Sequence, residues 1–347
     1  MPTLPYRDAL VSQPDALLAA VARVRSQLPA LAGALGSTRP VFLGIGASHC
    51  AAAVGVHLLQ QRGVAASRCT PGQVGAGSPA LGDLVVAVSQ GGRSAEIVDL
   101  LQQWAPEPAI ALVNVPGTPV CEAAGHALDT GDQPDSRAST SGFTATVAAL
   151  ALLAQSWTGG AVDAGWDSLG EVLGAFSERV LPVSEELATA LAEARWLDCV
   201  GAGVSVGVAE EVALLAREVA NIPAYGADIR TYLHGPMEAT GDGAHLFFGT
   251  DREAAAAAML AERGRRVVLI TPVATAAVVA ARDAGARVVA TGVADEPSRA
   301  IVETILAQHV MSRLAQARGC QVDEFVFTQT DTKIDGALGS ETGQPGA

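Results

Sequence analysis

Residues 84–104 read LVVAVSQGGRSAEIVDLLQQW, and the pattern of this stretch changes twice. Its first five residues are apolar and rich in valine, which is typical of a buried strand. Gly91 and Gly92 interrupt the run, and from Ser94 onward apolar residues recur at helical spacing. The stretch therefore predicts a strand, a glycine turn, and a helix that begins where the strand ends.

The same succession recurs through the chain. Further strands are predicted at 41–45, 110–113, 196–200, 246–248, 267–270 and 288–290, with helical segments between them. Alternating strands and helices joined by short turns favour a parallel sheet covered by helices. A strand followed by Gly-x-Gly and a helix occurs at Gly44 and again at Gly201, so two copies of one unit are expected. The predicted fold class is α/β, with two domains that each hold a mostly parallel, doubly wound, flavodoxin-like sheet flanked by helices.

The expected organisation has five parts. They are an N-terminal helical segment (1–35), a first domain (36–160), a helical connector (161–194), a second domain (195–322) and a C-terminal tail (323–347). Two nucleotide-binding halves of a Rossmann protein are the rival interpretation. The turns at Gly44 and Gly201 argue against it, because both lack the third glycine of G-x-G-x-x-G.

Charge and composition narrow the class of protein. The 347 residues carry a net charge of −14 without any Lys/Arg-rich block, so neither nucleic acid nor a membrane is expected as a partner. No signal peptide and no membrane-spanning apolar run stands out, which predicts a cytoplasmic protein. The five cysteines are scattered and the six histidines lack metal-binding spacing, so no metal or other cofactor is expected.

The turn from Ser89 to Ser94 is the first candidate site. Free backbone N–H groups and the helix dipole attract an anion where a helix begins, and Ser89, Gln90 and Ser94 add neutral donors. The alternative is an ordinary glycine turn in which Ser94 caps the helix. Ser48 follows the neighbouring predicted strand and would bring a further hydroxyl to the same edge of the sheet, which favours a ligand site.

Taken in order, these motifs resemble the tandem SIS (sugar isomerase) domain family. That family includes the isomerase portion of glucosamine-6-phosphate synthase and stand-alone amino-sugar phosphate deaminases and deglycases. The resemblance begins at Gln13-Pro14 and spans nearly the whole chain. It rests on Gly44–Ser48, Ser89–Ser94 (similar to the family's S-Q-S-G-E-T), Ala138-Ser139-Thr140, Glu211 to Glu218, Tyr225 and His234-Gly235-Pro236.

The resemblance implies that a sugar phosphate binds in the first domain. Its phosphate contacts would be Ser48, Ser89, Gln90 and Ser94, and further substrate contacts are expected from Gly46, Ala47, Gly91, Gly92, Arg137 and Ser139. Gly91 replaces a serine of the family motif and Arg93 replaces its glutamate. Gly249-Thr250-Asp251 stands where a second phosphate turn would lie, so phosphate is expected to bind to the first half alone.

The resemblance also implies three catalytic residues. Glu218 would move a proton between C1 and C2 of the sugar, which suits a partly buried carboxyl. His234 would assist ring opening and would reach the site from the partner subunit of a homodimer. Without the resemblance, Glu218 reads as a solvated helix carboxylate and His234 as a turn residue. A lysine of the family is Leu215 here, which removes a cation near Glu218.

Lys333 is the only lysine in a chain with 21 arginines. Such bias reflects genome composition, and a single lysine can survive by chance. The family has a lysine near its C-terminus that folds over the sugar and forms an imine with a ketose, although the text around Lys333 matches that segment poorly. We therefore include Lys333 as the third catalytic candidate.

The function expected from these residues is that of an isomerase or deaminase acting on an amino-hexose 6-phosphate of the glucosamine-6-phosphate type. A deglycase that cleaves a fructosamine 6-phosphate is the nearest alternative. A non-catalytic sensor that binds a sugar phosphate is the alternative from a different class, and the presence of both Glu218 and His234 counts against it.

Overall fold

The computed structural model describes residues 3–36, 39–75, 77–79, 81–104, 108–157, 159–160, 162–327, 329 and 331–334. Residues 335–347 of the predicted tail lie outside the described residues. The chain opens with helix α1 (Tyr6–Leu31), which packs along α5 (Ser141–Ser156) in the first half. The helix α5 is apolar around nearly its whole circumference because it is enclosed between α1 and α2 (Ala47–Gln61).

The first half contains a parallel five-stranded sheet in the order β2-β1-β3-β4-β5. Its strands are β1 (Pro40–Leu43), β2 (Ser67–Cys69), β3 (Leu84–Val88), β4 (Ala109–Val113) and β5 (Gly125–Asp129). The remaining helices of this half are α3 (Ala95–Trp104) and α4 (Pro119–Ala124). Strands β1, β3 and β4 are buried throughout, which explains their continuous apolar sequences.

The second half repeats this topology. After α6 (Leu169–Arg179) and α7 (Ser184–Leu191), a second parallel sheet forms in the order β10-β9-β8-β6-β7. Its strands are β6 (Leu197–Gly201), β7 (Ala224–Asp228), β8 (Ala244–Phe248), β9 (Arg266–Thr271) and β10 (Arg287–Ala290). Its helices are α8 (Ser205–Glu218), α9 (Ile229–Leu233), α10 (Arg252–Glu262), α11 (Ala276–Asp283) and α12 (Glu296–Arg318). Counted from the first strand of each half, both sheets have the order 2-1-3-4-5.

Three strands were not predicted from the sequence: β2, β5 and β7. Each lies at the edge of its sheet and leaves part of its length exposed. Edge strands tolerate polar and small residues because water covers one side of them, so they lack the apolar runs that identify central strands. Strand β1 also ends at Leu43, two residues earlier than predicted.

The two halves pack against each other through α2 and α8. Arg68 on β2 reaches across this junction and binds Glu210 on α8 with two hydrogen bonds of 2.6 Å. Gly46, just beyond the carboxyl end of β1, lines one cavity together with Leu214 of the helix that ends at Glu218. None of the helices that the structure describes has the length and apolarity needed to cross a membrane.

Candidate active site

The predicted phosphate turn occupies the carboxyl end of β3. Ser89 follows the strand directly and Ser94 precedes α3, and their hydroxyl oxygens are 3.2 Å apart. Gly92 has a φ of +63°, and a Cβ there would lie 1.9 Å from the Oγ1 of Thr118. Only glycine fits this position without displacing Thr118, so the turn depends on Gly92 for its shape.

A cavity of about 750 Å³ opens above this turn. The predicted residues that line it are Ala47, Ser48, Ser89, Gln90, Gly91, Ser94, Arg137 and Lys333. Tertiary structure thus brings together both glycine turns of the first half and a residue from the far end of the chain. Three hydroxyls at one end of the cavity suit an anion such as a phosphate.

Three other predicted contacts, Ser139, Gly46 and Gly92, are not among the residues that line this cavity. Ser139 lines a small adjoining space together with Ser48 and Gln90. Gly46 faces a separate cavity, of about 370 Å³, that Tyr225 of the second half also lines. Gly92 packs beneath the turn, against Thr118.

Asp135 is a buried carboxylate that no motif or spacing in the sequence had indicated. It accepts hydrogen bonds from the Nε2 of Gln90, at 2.5 Å, and from the hydroxyl of Ser139, at 2.9 Å. The backbone N–H and the hydroxyl of Thr140 bind its other oxygen. Asp135 therefore fixes both the Gln90 side chain and the loop that leads into α5.

The described residues between 323 and 334, here called the C-terminal segment, lie directly on the turn from Ser89 to Ser94. Ser94 and Lys333 form an antiparallel bridge, in which the backbone N–H of Ala95 donates to the carbonyl of Thr332 at 3.2 Å. The N–H of Ile334 donates to the carbonyl of Arg93 at 2.9 Å. These bonds place the Lys333 side chain in the cavity, beside the three hydroxyls.

Arg137 contributes a cation to the cavity wall, in addition to Lys333 and Arg93. Its guanidinium carbon lies 4.3 Å from the centre of the Phe325 ring, a cation–π contact that orients the side chain. It forms no ion pair or hydrogen bond with another residue that the structure describes. Phe325 belongs to the same C-terminal segment as Lys333, so this segment shapes the cavity at two points.

Glu218 is the last residue of α8 and is largely buried. Burial raises the pKa of its carboxyl to about 7, and the nearby charge of Arg137 opposes that rise. Leu215, the apolar replacement for a lysine, is buried on the same helix. A carboxyl with this pKa can accept and return a proton near neutral pH.

A second buried carboxyl, Glu211, lies about two helical turns before Glu218, on the same face of α8. It is fully buried, and neither of its oxygens has a hydrogen-bond partner among the described residues. Burial raises its pKa well above the ordinary value, and the charges of Glu218 and Asp135 add to the effect. Burial therefore favours the protonated form of Glu211. The spacing of Glu211 and Glu218 can be read from the sequence, whereas the burial of Glu211 cannot.

His234 follows α9 at the surface of the second half. It is exposed and is not among the residues that line the large cavity of its own chain. That His234 reaches the active site of a partner subunit therefore stays a prediction.

The topology and the cavity together define a class: an α/β protein with two parallel sheets, in which three serine hydroxyls and a lysine line one cavity at the carboxyl end of the first sheet. Glu218 is not among the described residues that line this cavity, although the charge of Arg137, which does line it, opposes the rise of the Glu218 pKa. Residues 36–156 match the family model of the SIS domain, so the chain contains an SIS domain. No curated protein matches the chain significantly.

Several solved structures share the fold over almost the whole chain. The C-terminal domain of glucosamine-fructose-6-phosphate aminotransferase from Francisella tularensis has a TM-score of 0.76 at 18% identity, covering 92% of this chain and 97% of that one. A putative phosphosugar isomerase from Silicibacter pomeroyi has a TM-score of 0.74 at 21% identity, covering 92% and 99%. Glucosamine-6-phosphate deaminase from Thermotoga maritima has a TM-score of 0.68 at 16% identity, covering 93% and 98%.

Proposed function

We propose that the protein is a phosphosugar isomerase of the deaminating kind, which converts an amino-hexose 6-phosphate into a ketose 6-phosphate and ammonia. The observation that carries this proposal is the convergence of Ser48, Ser89, Ser94 and Lys333 on one cavity. Hydroxyls at a helix start suit the phosphate, and a primary amine suits a carbonyl carbon. The similar folds of an isomerase and a deaminase support the same class of reaction.

In the proposed reaction His234 opens the sugar ring by moving a proton from the anomeric hydroxyl to the ring oxygen. Glu218 then removes the proton from C2 and returns it to C1, while a second proton passes from the amine nitrogen to the C1 oxygen, which converts the aldehyde and amine into a hydroxyl and an imine. Water adds to the imine carbon and ammonia leaves, so the products are the ketose phosphate and ammonia. Lys333 holds the open chain during these steps.

The second SIS unit belongs to this proposal. We infer that residues 195–322 form it, because the second sheet has the same strand order as the first. In this arrangement the first half binds the phosphate and the second half supplies Glu218 and His234.

A deglycase is the second candidate function. It is favoured by the position of Arg137 on the cavity wall. A cation without an ion-pair partner on the cavity wall suits the carboxylate of an amino acid whose amino group is the amine that leaves from the sugar. Such an enzyme would use the same proton transfer by Glu218.

The test is ammonia release from glucosamine 6-phosphate, with fructosamine 6-phosphates assayed in parallel for release of the amine. Glu218→Gln should lower kcat at least 100-fold, the usual loss when a general base is removed. The matched control is Glu262→Gln, which removes an exposed glutamate from the end of α10 and should leave kcat unchanged. Saturable binding of both kinds of sugar phosphate without turnover would refute the enzyme and support the sensor.

A further inference from the structure

The chain forms the same backbone turn twice. Gly44–Ser48 follows the first strand of the first sheet, and Gly201–Ser205 follows the first strand of the second. The middle glycines, Gly46 and Gly203, have φ values of +57° and +59°. The serine N–H donates to the carbonyl three residues earlier in both turns, at 3.2 Å for Ser48 and 3.0 Å for Ser205.

The two serines meet different surroundings. Ser48 faces open space, and α5 presents Gly142, Phe143 and Thr146 beside it. The hydroxyl of Ser205 donates to the Oε2 of Glu303 on α12, at 2.7 Å. The second turn therefore holds a carboxyl group in the position where the first turn leaves room for a ligand.

Glu303 is an unusual occupant for the interior. Its side chain is fully buried, and its Oε1 has no hydrogen-bond partner among the described residues. The Nε of Arg299 lies 3.9 Å from that oxygen and supplies a partial counter-charge. A buried acid with so few partners costs stability unless its surroundings attract negative charge. The hydroxyl of Ser205, the first residue of α8, and the charge of Arg299 offset part of this cost, although burial still raises the pKa of Glu303.

We propose that the turn from Gly201 to Ser205 is a second anion-binding site, built like the first, and that the chain's own Glu303 occupies it permanently in place of a ligand. The chain would then bind only one phosphate group, although it contains two turns of this design. Glu303 would also hold α12 in place, and α12 leads into the segment that carries Phe325 and Lys333.

The test is to empty the site and offer it small anions. Glu303→Ala should lower the Tm, and formate, acetate or inorganic phosphate should raise it again by about 2–4 °C at saturation, with sodium chloride holding the ionic strength constant. Glu303→Gln fills the same space with a neutral group and should show no such response. Ser205→Ala combined with Glu303→Ala keeps the space but removes the hydroxyl donor, so its response should be lost.

Two results would overturn the proposal: a Glu303→Ala protein that responds to these anions no more than the wild type, or a double variant that responds equally well. These measurements use no sugar substrate, so they are independent of whether the proposed enzymatic function is correct.

If Glu303→Ala does not fold, Glu303→Gln still provides a test. Burial raises the pKa of Glu303 to about 7, so the folded state binds this proton more tightly than the unfolded state does. The wild type should therefore lose stability relative to Glu303→Gln as the pH rises from about 4.5 to about 7. Parallel stability curves for the two proteins would contradict a buried carboxyl at Ser205.

Discussion

At the scale of single residues, Glu218 and Arg137 form the most informative pair. Glu218 must be ionised to accept a proton, and its pKa of about 7 places that ionisation close to neutral pH. The family's lysine is absent from α8, and Arg137 supplies a positive charge from the loop before α5 instead. The electrostatic environment of the carboxyl therefore depends on a residue from the other half.

We predict that kcat/KM rises with pH through about 7, because only the ionised form of Glu218 acts as a base. Arg137→Met removes a charge that lowers this pKa, so the rising limb should move to higher pH. Arg137→Lys retains the charge and should leave the limb near its wild-type position. The measurement is the pH–rate profile of all three proteins, and identical limbs for Arg137→Met and the wild type would contradict the role of Arg137.

Gly92 is predicted to be far less tolerant of substitution than its neighbour Gly91. Gly92→Ala places a methyl group against Thr118 at a positive φ, which should cost about 1–3 kcal/mol of unfolding free energy. Gly91→Ala meets no atom within 4 Å and has no positive φ, so its cost should stay below about 1 kcal/mol. Urea denaturation of both variants makes this comparison, and equal losses would show that the turn is not strained at Gly92.

At the scale of elements, the C-terminal segment is the part of the site that comes from farthest away in sequence. Its backbone pairs with the phosphate turn, and its Phe325 ring orients Arg137. Two interactions with different chemistry thus attach one segment to the cavity. The segment closes a site whose floor is already formed by the first sheet.

Because Lys333 is the only lysine, imine formation can be tested with little ambiguity. Borohydride reduction in the presence of fructose 6-phosphate should attach the sugar phosphate to Lys333, as seen by peptide mass spectrometry. Lys333→Arg keeps the charge but cannot form a neutral amine, so it should yield no adduct at this position. An unmodified Lys333 under conditions of turnover would limit this residue to electrostatic contact.

At the scale of the whole molecule, the proposed site is incomplete in one chain. Neither Glu218 nor His234 is among the described residues that line the large cavity, although Arg137, which lines it, is close enough to Glu218 to affect its pKa, and His234 is exposed. If a homodimer forms with His234 crossing the interface, each site combines two subunits. A symmetric dimer would contain two such sites.

Mixing inactive subunits tests this arrangement. Glu218→Gln and His234→Asn proteins, unfolded and refolded together, should regain about one quarter of wild-type activity, because half of the dimers are mixed and each mixed dimer has one intact site. Each variant refolded alone is the control and should stay inactive. If His234 acts within its own chain, the mixture should regain no activity.

The sequence by itself determined the central strands and the paired glycine turns, since each of these depends on local pattern, whereas phosphate binding at the turn from Ser89 to Ser94 stays a prediction. Buried parallel strands need continuous apolar residues, and a helix that starts at a glycine turn has a recognisable order of residue types. The SIS resemblance predicted from these motifs is confirmed for residues 36–156. Edge strands such as β7 were not predicted, because one side of an edge strand faces water and needs no continuous apolar residues.

Only the tertiary structure decided which distant residues share one environment. It placed Lys333 on Ser94, Arg137 beside Glu218, and Glu303 against Ser205. A charge acquires a shifted pKa from burial and from neighbours that are close in space, and neither quantity is encoded in local spacing. For this reason the sequence could indicate a carboxyl at position 218, whereas the fold gave that carboxyl its pKa near 7.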